Sequence, residues 1–242
     1  MDFETRHFKK RMSLITTECI LLRSRKFSDS SKLVTLFGKD TGKFNAVVKG
    51  VRNTNSKQSG VFDYFNHFSV VLNLKENRDL QTISKSELIL GFDVIKTDLN
   101  RLNCGFKFME LINNSLSDYY VNPLIFDFII SEFRKLNDTD FKRFNRIICF
   151  QLGILKLLGL NLFSVNNVKN INETYLINDA LNINNEDFDQ MKIIFNNGMD
   201  FESQMGLYKC DRIVNTLDSF IKMELTNNKF SNTKKVFKYI EK

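Results

Sequence analysis

The feature that most constrains this chain is a change of hydrophobic period at Gly91. Before it, apolar residues alternate with polar ones in short runs separated by glycine and polar clusters. After it, they recur every three or four residues. A two-residue period places side chains on the two faces of a strand, and a 3.6-residue period gathers them on one face of a helix. The chain therefore reads as α+β, with all the strands first and all the helices after, not as alternating βα units.

Before Gly91 the pattern predicts five strands. They fall at 15–22, 33–37, 44–48, 68–74 and 80–88. Gly38-Lys39-Asp40-Thr41-Gly42 is a tight hairpin turn, with glycines where positive φ is expected. Five short strands in about 80 residues suit a small closed barrel, with the OB-fold as the leading candidate. In the third run Phe44, Ala46 and Val48 share one face. The chain then leaves through Lys49-Gly50-Val51-Arg52 into an Asn-, Ser- and Lys-rich loop containing Lys57. A strand that delivers cations to an exposed tip suits a phosphate backbone more than it suits bond-breaking chemistry.

After Gly91, Leu99, Leu102, Phe106, Met109, Ile112 and Leu116 mark one helical face. Asn122-Pro123 reads as a cap followed by a first-turn proline. Asp138-Thr139-Asp140 is expected to cap the third helix. That helix is apolar almost all round from Ile147 to Leu158, which predicts the centre of a bundle, and Gly159 ends it. Residues 161–186 are Asn-rich, with a short extended pair expected near Val168 and 175–177. Helices are expected again at 186–196, 203–225 and 232–241. The domains expected are a flexible extension at 1–11, a barrel at 12–90 and a helical bundle at 91–242.

Charge separates the halves. The net charge is +7. Residues 1–100 carry 17 Lys and Arg against 11 Asp and Glu, whereas the remaining 142 carry 18 against 17. The basic excess lies in the strand-rich part, and a localised excess of that kind is the footprint of a polyanion partner. Candidate phosphate contacts are Arg23, Arg25, Lys26, Lys43, Lys49, Arg52 and Lys57, with Lys39 nearby in sequence. A solvated barrel rim is the competing reading. Phe27, in a basic connection, is the candidate for stacking on a base. Phe44 is expected in the core, and Tyr64 is open between the two roles.

Several chemistries lack their residues. Cys19, Cys104, Cys149 and Cys210 are widely separated and form no CxxC pair, so they read as reduced thiols filling core positions. His7 and His67 are isolated, and there is no GxxxxGK[ST] phosphate loop. The clusters Asp138/Asp140, Glu186/Asp187/Asp189 and Asp200/Glu202 stand at expected helix starts, where acids cap and complement the dipole. A metal-dependent nuclease built on them is the alternative. No window approaches the ~20 apolar residues of a membrane span.

In this order the residues resemble the RecO family of recombination mediators. The resemblance rests on 17–23 (Thr-Glu-Cys-Ile-Leu-Leu-Arg), 30–37 (Ser-Ser-Lys-Leu-Val-Thr-Leu-Phe), Thr41-Gly42-Lys43, Lys49-Gly50-Val51-Arg52 with Ser56-Lys57, and 155–160 (Leu-Lys-Leu-Leu-Gly-Leu). It implies an N-terminal five-stranded OB-fold barrel and a C-terminal helical bundle. It implies a non-enzymatic protein, cytoplasmic and associated with the nucleoid, that needs no cofactor. Such a protein binds and anneals single-stranded DNA and works with RecR and single-stranded-DNA-binding protein to load RecA. Lys135, Lys142, Arg143 and Arg146 are then candidates to meet the acidic tail of single-stranded-DNA-binding protein, although such charges are more often simply the wet face of a helix. Many members carry a four-cysteine zinc site after the Leu-Gly segment. Residues 161–185 hold no cysteine, so no metal is expected. An adaptor that uses the barrel to bind protein instead of DNA is a further alternative.

Overall fold

The computed structural model describes residues 13–53, 56, 58, 60–74, 78–138, 140–160, 162 and 184–227. Lys57, the 1–11 extension, the extended pair near Val168 and the helix expected at 232–241 lie outside them. Two compact units result: Met1–Gly91 together with Asp118–Val121, and Phe92–Ser117 together with Asn122–Lys242.

The first unit contains β1 (Ser13–Lys26), β2 (Lys32–Gly38), β3 (Gly42–Val48), β4 (Asn66–Leu74) and β5 (Leu80–Gly91). Their order is β1-β2-β3-β5-β4, and the sheet closes on itself. β1 makes closure possible because it serves two neighbours. Cys19 to Lys26 pair with β2, and Ser13 to Ile20 pair with β4. A register shift between Leu21 and Arg23 lies where the strand changes partner, and a bulge of this kind bends and twists a strand. All ladders are antiparallel except the short β3–β5 seam, from Asn45–Leu80 to Val47–Thr82.

The alternation seen in the sequence fills the barrel. Leu21, Val34, Leu36, Phe44, Ala46, Val48, Phe68, Val70 and Leu72 point into one core, closed by Phe62 from the loop after β3. The pattern fails along β5, where only Gln81 and Ile83 are buried and Leu88, Ile89 and Leu90 are about half exposed. Of the two glycines in the β2–β3 hairpin, only Gly42 has positive φ (69°). Gly38 is needed for space instead, since a Cβ there would stand 2.2 Å from Thr41 Oγ1.

The segment Asp118–Val121 belongs to this unit although helices flank it in the chain. It runs beside β3 as a one-residue parallel bridge, Lys43–Asp118. Tyr119 N–H donates to Lys43 O at 2.8 Å, and its hydroxyl donates to Arg78 O and accepts from Gln81 Nε2. β5 joins β3 only from Asn45 onward, so this strap covers the stretch of β3 that β5 leaves unpaired.

The second unit holds α1 (Asp93–Thr97), α2 (Leu99–Ser115), α3 (Pro123–Asn137), α4 (Arg143–Leu157), α5 (Asn185–Asn196), α6 (Phe201–Met205) and α7 (Leu207–Asn227). Asn122 caps α3 by accepting from Ile125 N–H, with Pro123 at the first turn. α4 is buried on nearly every side, and Phe150 stacks on Phe108 at 3.8 Å between ring centres. Gly159, at φ 83°, ends it.

The start of α4 differs from expectation. Asp138 closes α3 and does not cap α4, whose boundary residue is Lys142, without a side-chain cap. The orphan N–H groups of Phe144 and Asn145 are taken by Glu202 Oε1 from α6. Tertiary packing supplies what local sequence does not. The helix expected at 203–225 is also two helices, broken at Gly206 (φ 76°).

Candidate nucleic-acid interface

At one end of the β1-β2-β3 ribbon the strands leave their partners and their cations emerge together. Arg23, Arg25 and Lys26 are exposed at the end of β1. Lys26 lies directly across from Lys32 at the start of β2, and Lys32 is across from Val48, the residue before exposed Lys49. Like charges directly opposite each other on neighbouring strands repel. The repulsion is relieved when an anion lies over the pair. Lys32 was missed in the sequence because it reads as the edge of an apolar run. Only the strand register puts it between Lys26 and Lys49.

Two loops frame this end. The β1–β2 loop presents Phe27 with 56% of its surface exposed. Lys26 and Asp29 in it form a 3.8 Å ion pair whose side chains are both well exposed, an arrangement that contributes little to stability. The turn after β3 carries Gly50 at φ 68°, Val51 in the core and exposed Arg52. Arg52 Nη1 donates to Ser28 O at 2.8 Å and Asp29 O at 3.0 Å, tying the two loops together.

The other sequence candidates fall elsewhere. Lys43 is six residues from Lys49 along β3, roughly 20 Å at strand spacing. Its side chain is 14% exposed and pairs with Asp118 at 3.3 Å. Phe44 is in the core, as its register with Ala46 and Val48 requires. Tyr64 packs against that core and its hydroxyl accepts from Ser24 N–H at 3.2 Å, so it braces β1.

In the helical unit, the four basic residues at the α3–α4 corner are mostly engaged. Lys135 bonds Glu132 Oε1 at 2.5 Å, and that carboxylate is 1% exposed. Lys142 pairs with Asp200, and this hydrogen bond raises its pKa above that of an ordinary lysine. Arg146 is half-buried, whereas Arg143 is exposed beside the Phe144 ring. The acidic residues also have structural tasks. Asp200 caps α6 through Glu202 N–H. Asp187 is gripped by Lys209 at 2.8 Å and Arg212 at 2.6 Å. Among the described residues no three His, Cys, Asp or Glu side chains converge as a metal site would require. No described helix is long and apolar enough to cross a membrane.

Comparison with known proteins finds its match over the strand-rich unit. Residues 12–92 match the family described as recombination protein O, N terminal. The chain is 32% identical over 147 residues to the DNA repair protein RecO of Chlorobium limicola, covering 60% of this chain and 56% of that protein. It is 26% identical over 148 residues to that of Salinibacter ruber, covering 61% and 57%, and 30% identical over 123 residues to that of Prosthecochloris aestuarii, covering 51% and 47%. The chain thus spans about half the length of the curated relatives it matches. The matched segment is the whole of the barrel, and over it this chain is similar to the RecO family.

Proposed function

We propose that this chain is a non-enzymatic DNA-repair mediator that binds single-stranded DNA at the basic end of an OB-type barrel. The observation that carries the reading is the convergence of Arg25, Lys26, Lys32 and Lys49 beside exposed Phe27, with Lys26 and Lys32 opposed across a ladder. Cations track the phosphates and release their counterions, and an aromatic face accepts an unpaired base whatever its identity. Neutralising two complementary strands on such surfaces lowers their mutual repulsion, which is what annealing requires. RecR, the tail of single-stranded-DNA-binding protein and, indirectly, RecA are the partners this role calls for, and the helical unit is the part that would receive them. Of its four basic candidates, Lys135 and Arg143 are exposed, and Lys135 is paired with Glu132. Work on DNA in this role would place the protein in the cytoplasm, at the nucleoid.

Fluorescence anisotropy of a labelled oligonucleotide across a salt series tests the reading. Each phosphate contact on a single strand contributes about −0.7 to the slope of log affinity against log salt. The triple variant Arg25→Glu, Lys32→Glu, Lys49→Glu is expected to bind weakly and to lose about two units of that slope. An unchanged slope places the interface elsewhere. Oligonucleotide binding absent even at low salt removes DNA as the ligand, and the barrel is then an adaptor for protein.

A further inference from the structure

By residue type Arg52 is a phosphate ligand, yet its bonds run to the protein. Its backbone N–H donates to Ser30 O at 3.0 Å, and its Nη1 donates to Ser28 O and Asp29 O. One residue therefore gathers three consecutive carbonyls of the β1–β2 loop. Val51 beside it is 1% exposed and anchors the turn in the core, and Gly50 (φ 68°) aims the chain back toward the loop. Inside the loop, Phe27 N–H and Ser28 N–H both reach Ser31 O, at 3.1 and 3.4 Å. Arg25 to Asp29 are otherwise exposed, so apolar packing does little to hold them. Keeping a large aromatic ring out in water in one place requires the backbone beneath it to be fixed, because free loop conformations are favoured entropically.

The geometry points to Arg52 as a positioning residue that fixes the β1–β2 loop so that Phe27 is presented as a stacking platform for an unpaired base. Arg52 then acts through Phe27, and its role is selection of single strands, since duplex bases are already stacked within the helix. The inference rests on the nucleic-acid reading above. A lysine keeps the charge but not the planar nitrogen whose two hydrogens serve two carbonyls, so Arg52→Lys separates position from charge.

The chain contains no tryptophan, so Phe27→Trp installs a single indole at the crest of the loop. Titration of this variant with a thymidine oligonucleotide is expected to quench the indole, and a duplex of equal length to quench it less. Adding Arg52→Lys is expected to weaken binding about tenfold, the size of one base stack. It is also expected to reduce quenching at saturation and leave the salt slope unchanged. Adding Lys49→Ala should do the reverse: a shallower slope with full quenching at saturation. In the free protein, Arg52→Lys is expected to speed amide exchange at Phe27 and Ser28. The inference is overturned if Arg52→Lys changes neither affinity nor quenching, if Arg52→Ala lowers the slope as Lys49→Ala does with quenching intact, or if the indole stays unquenched while anisotropy reports binding. Wild-type protein that shows no anisotropy change at low salt sinks the nucleic-acid reading itself, and this inference with it.

Discussion

Gly42 and Gly50 bracket β3, and both sit at positive φ, yet they serve different purposes. At Gly50 an added Cβ meets nothing within 4 Å. Gly50→Ala is therefore expected to cost only the left-handed backbone penalty, about 1–2 kcal/mol. At Gly42 the Cβ would lie 2.4 Å from Tyr120 O and 2.8 Å from Tyr119 C, backbone atoms that cannot swing aside. Gly42→Ala adds overpacking of about 1–3 kcal/mol to the same penalty. Urea midpoints of the two variants check the order, and equal losses would mean that the strap yields freely. The cysteines allow a second test at this scale. Burial pushes the thiol of Cys104 up to about 12, and those of Cys149 and Cys210 up to about 11. Almost no thiolate exists at neutral pH, so native protein is expected to react with a disulfide reagent far more slowly than urea-unfolded protein. Single residues were legible where local register decides them, as for Phe44. Lys43 and Arg52 were not, because their partners, Asp118 and the 28–30 carbonyls, lie more than twenty positions away and carry no local signal.

Elements follow the same division. The strands and the α3 and α4 periods were legible because burying one face imposes a spacing on the sequence. On α2, Leu99 and Phe106 of the expected face are exposed, and Cys104 and Phe108 are buried beside Met109 and Ile112. The α4 start was not, because its cap comes from Glu202. The break at Gly206 left one signal, a five-residue gap from Met205 to Cys210 in an otherwise three- and four-residue rhythm. The first turn of α5 makes a prediction about pH. Asp187 is buried, and the Lys209 hydrogen bond, working against burial and helped by the charges of Lys209 and Arg212, holds its carboxyl below the ordinary aspartate value. A depressed folded pKa contributes stability above the unfolded pKa of about 4 and loses it as pH falls through the folded value. Asp187→Asn is therefore expected to cost about 1–3 kcal/mol at neutral pH. The gap to wild type should close below about pH 4. Denaturation midpoints at several pH values measure it. A gap that is constant down to low pH would show that the side-chain shape, not its charge, ties α5 to α7.

On the scale of the molecule, charge asymmetry and the change of period at Gly91 were enough to read a basic barrel followed by helices. The boundary between them is less simple than a single cut in the sequence. Asp118–Val121 follows α2 in the chain but closes the β3 edge of the barrel. The sequence gives no hint of this, because four residues bound mainly through backbone atoms leave no hydrophobic pattern. The placement has a measurable consequence. Tyr119→Phe removes the hydroxyl that Gln81 Nε2 and Arg78 O share, and Asp118→Ala removes the partner of a mostly covered Lys43. Each loss is worth about 1 kcal/mol. Combined in one variant, they are expected to speed exchange of β3 and β5 amides about tenfold or more while α3 and α4 amides keep their wild-type rates. Native-state hydrogen exchange resolves the two groups in a single experiment. Faster exchange confined to α3 and α4 would assign the strap energetically to the helices. Acceleration of both groups together would mean that the two compact units unfold as one.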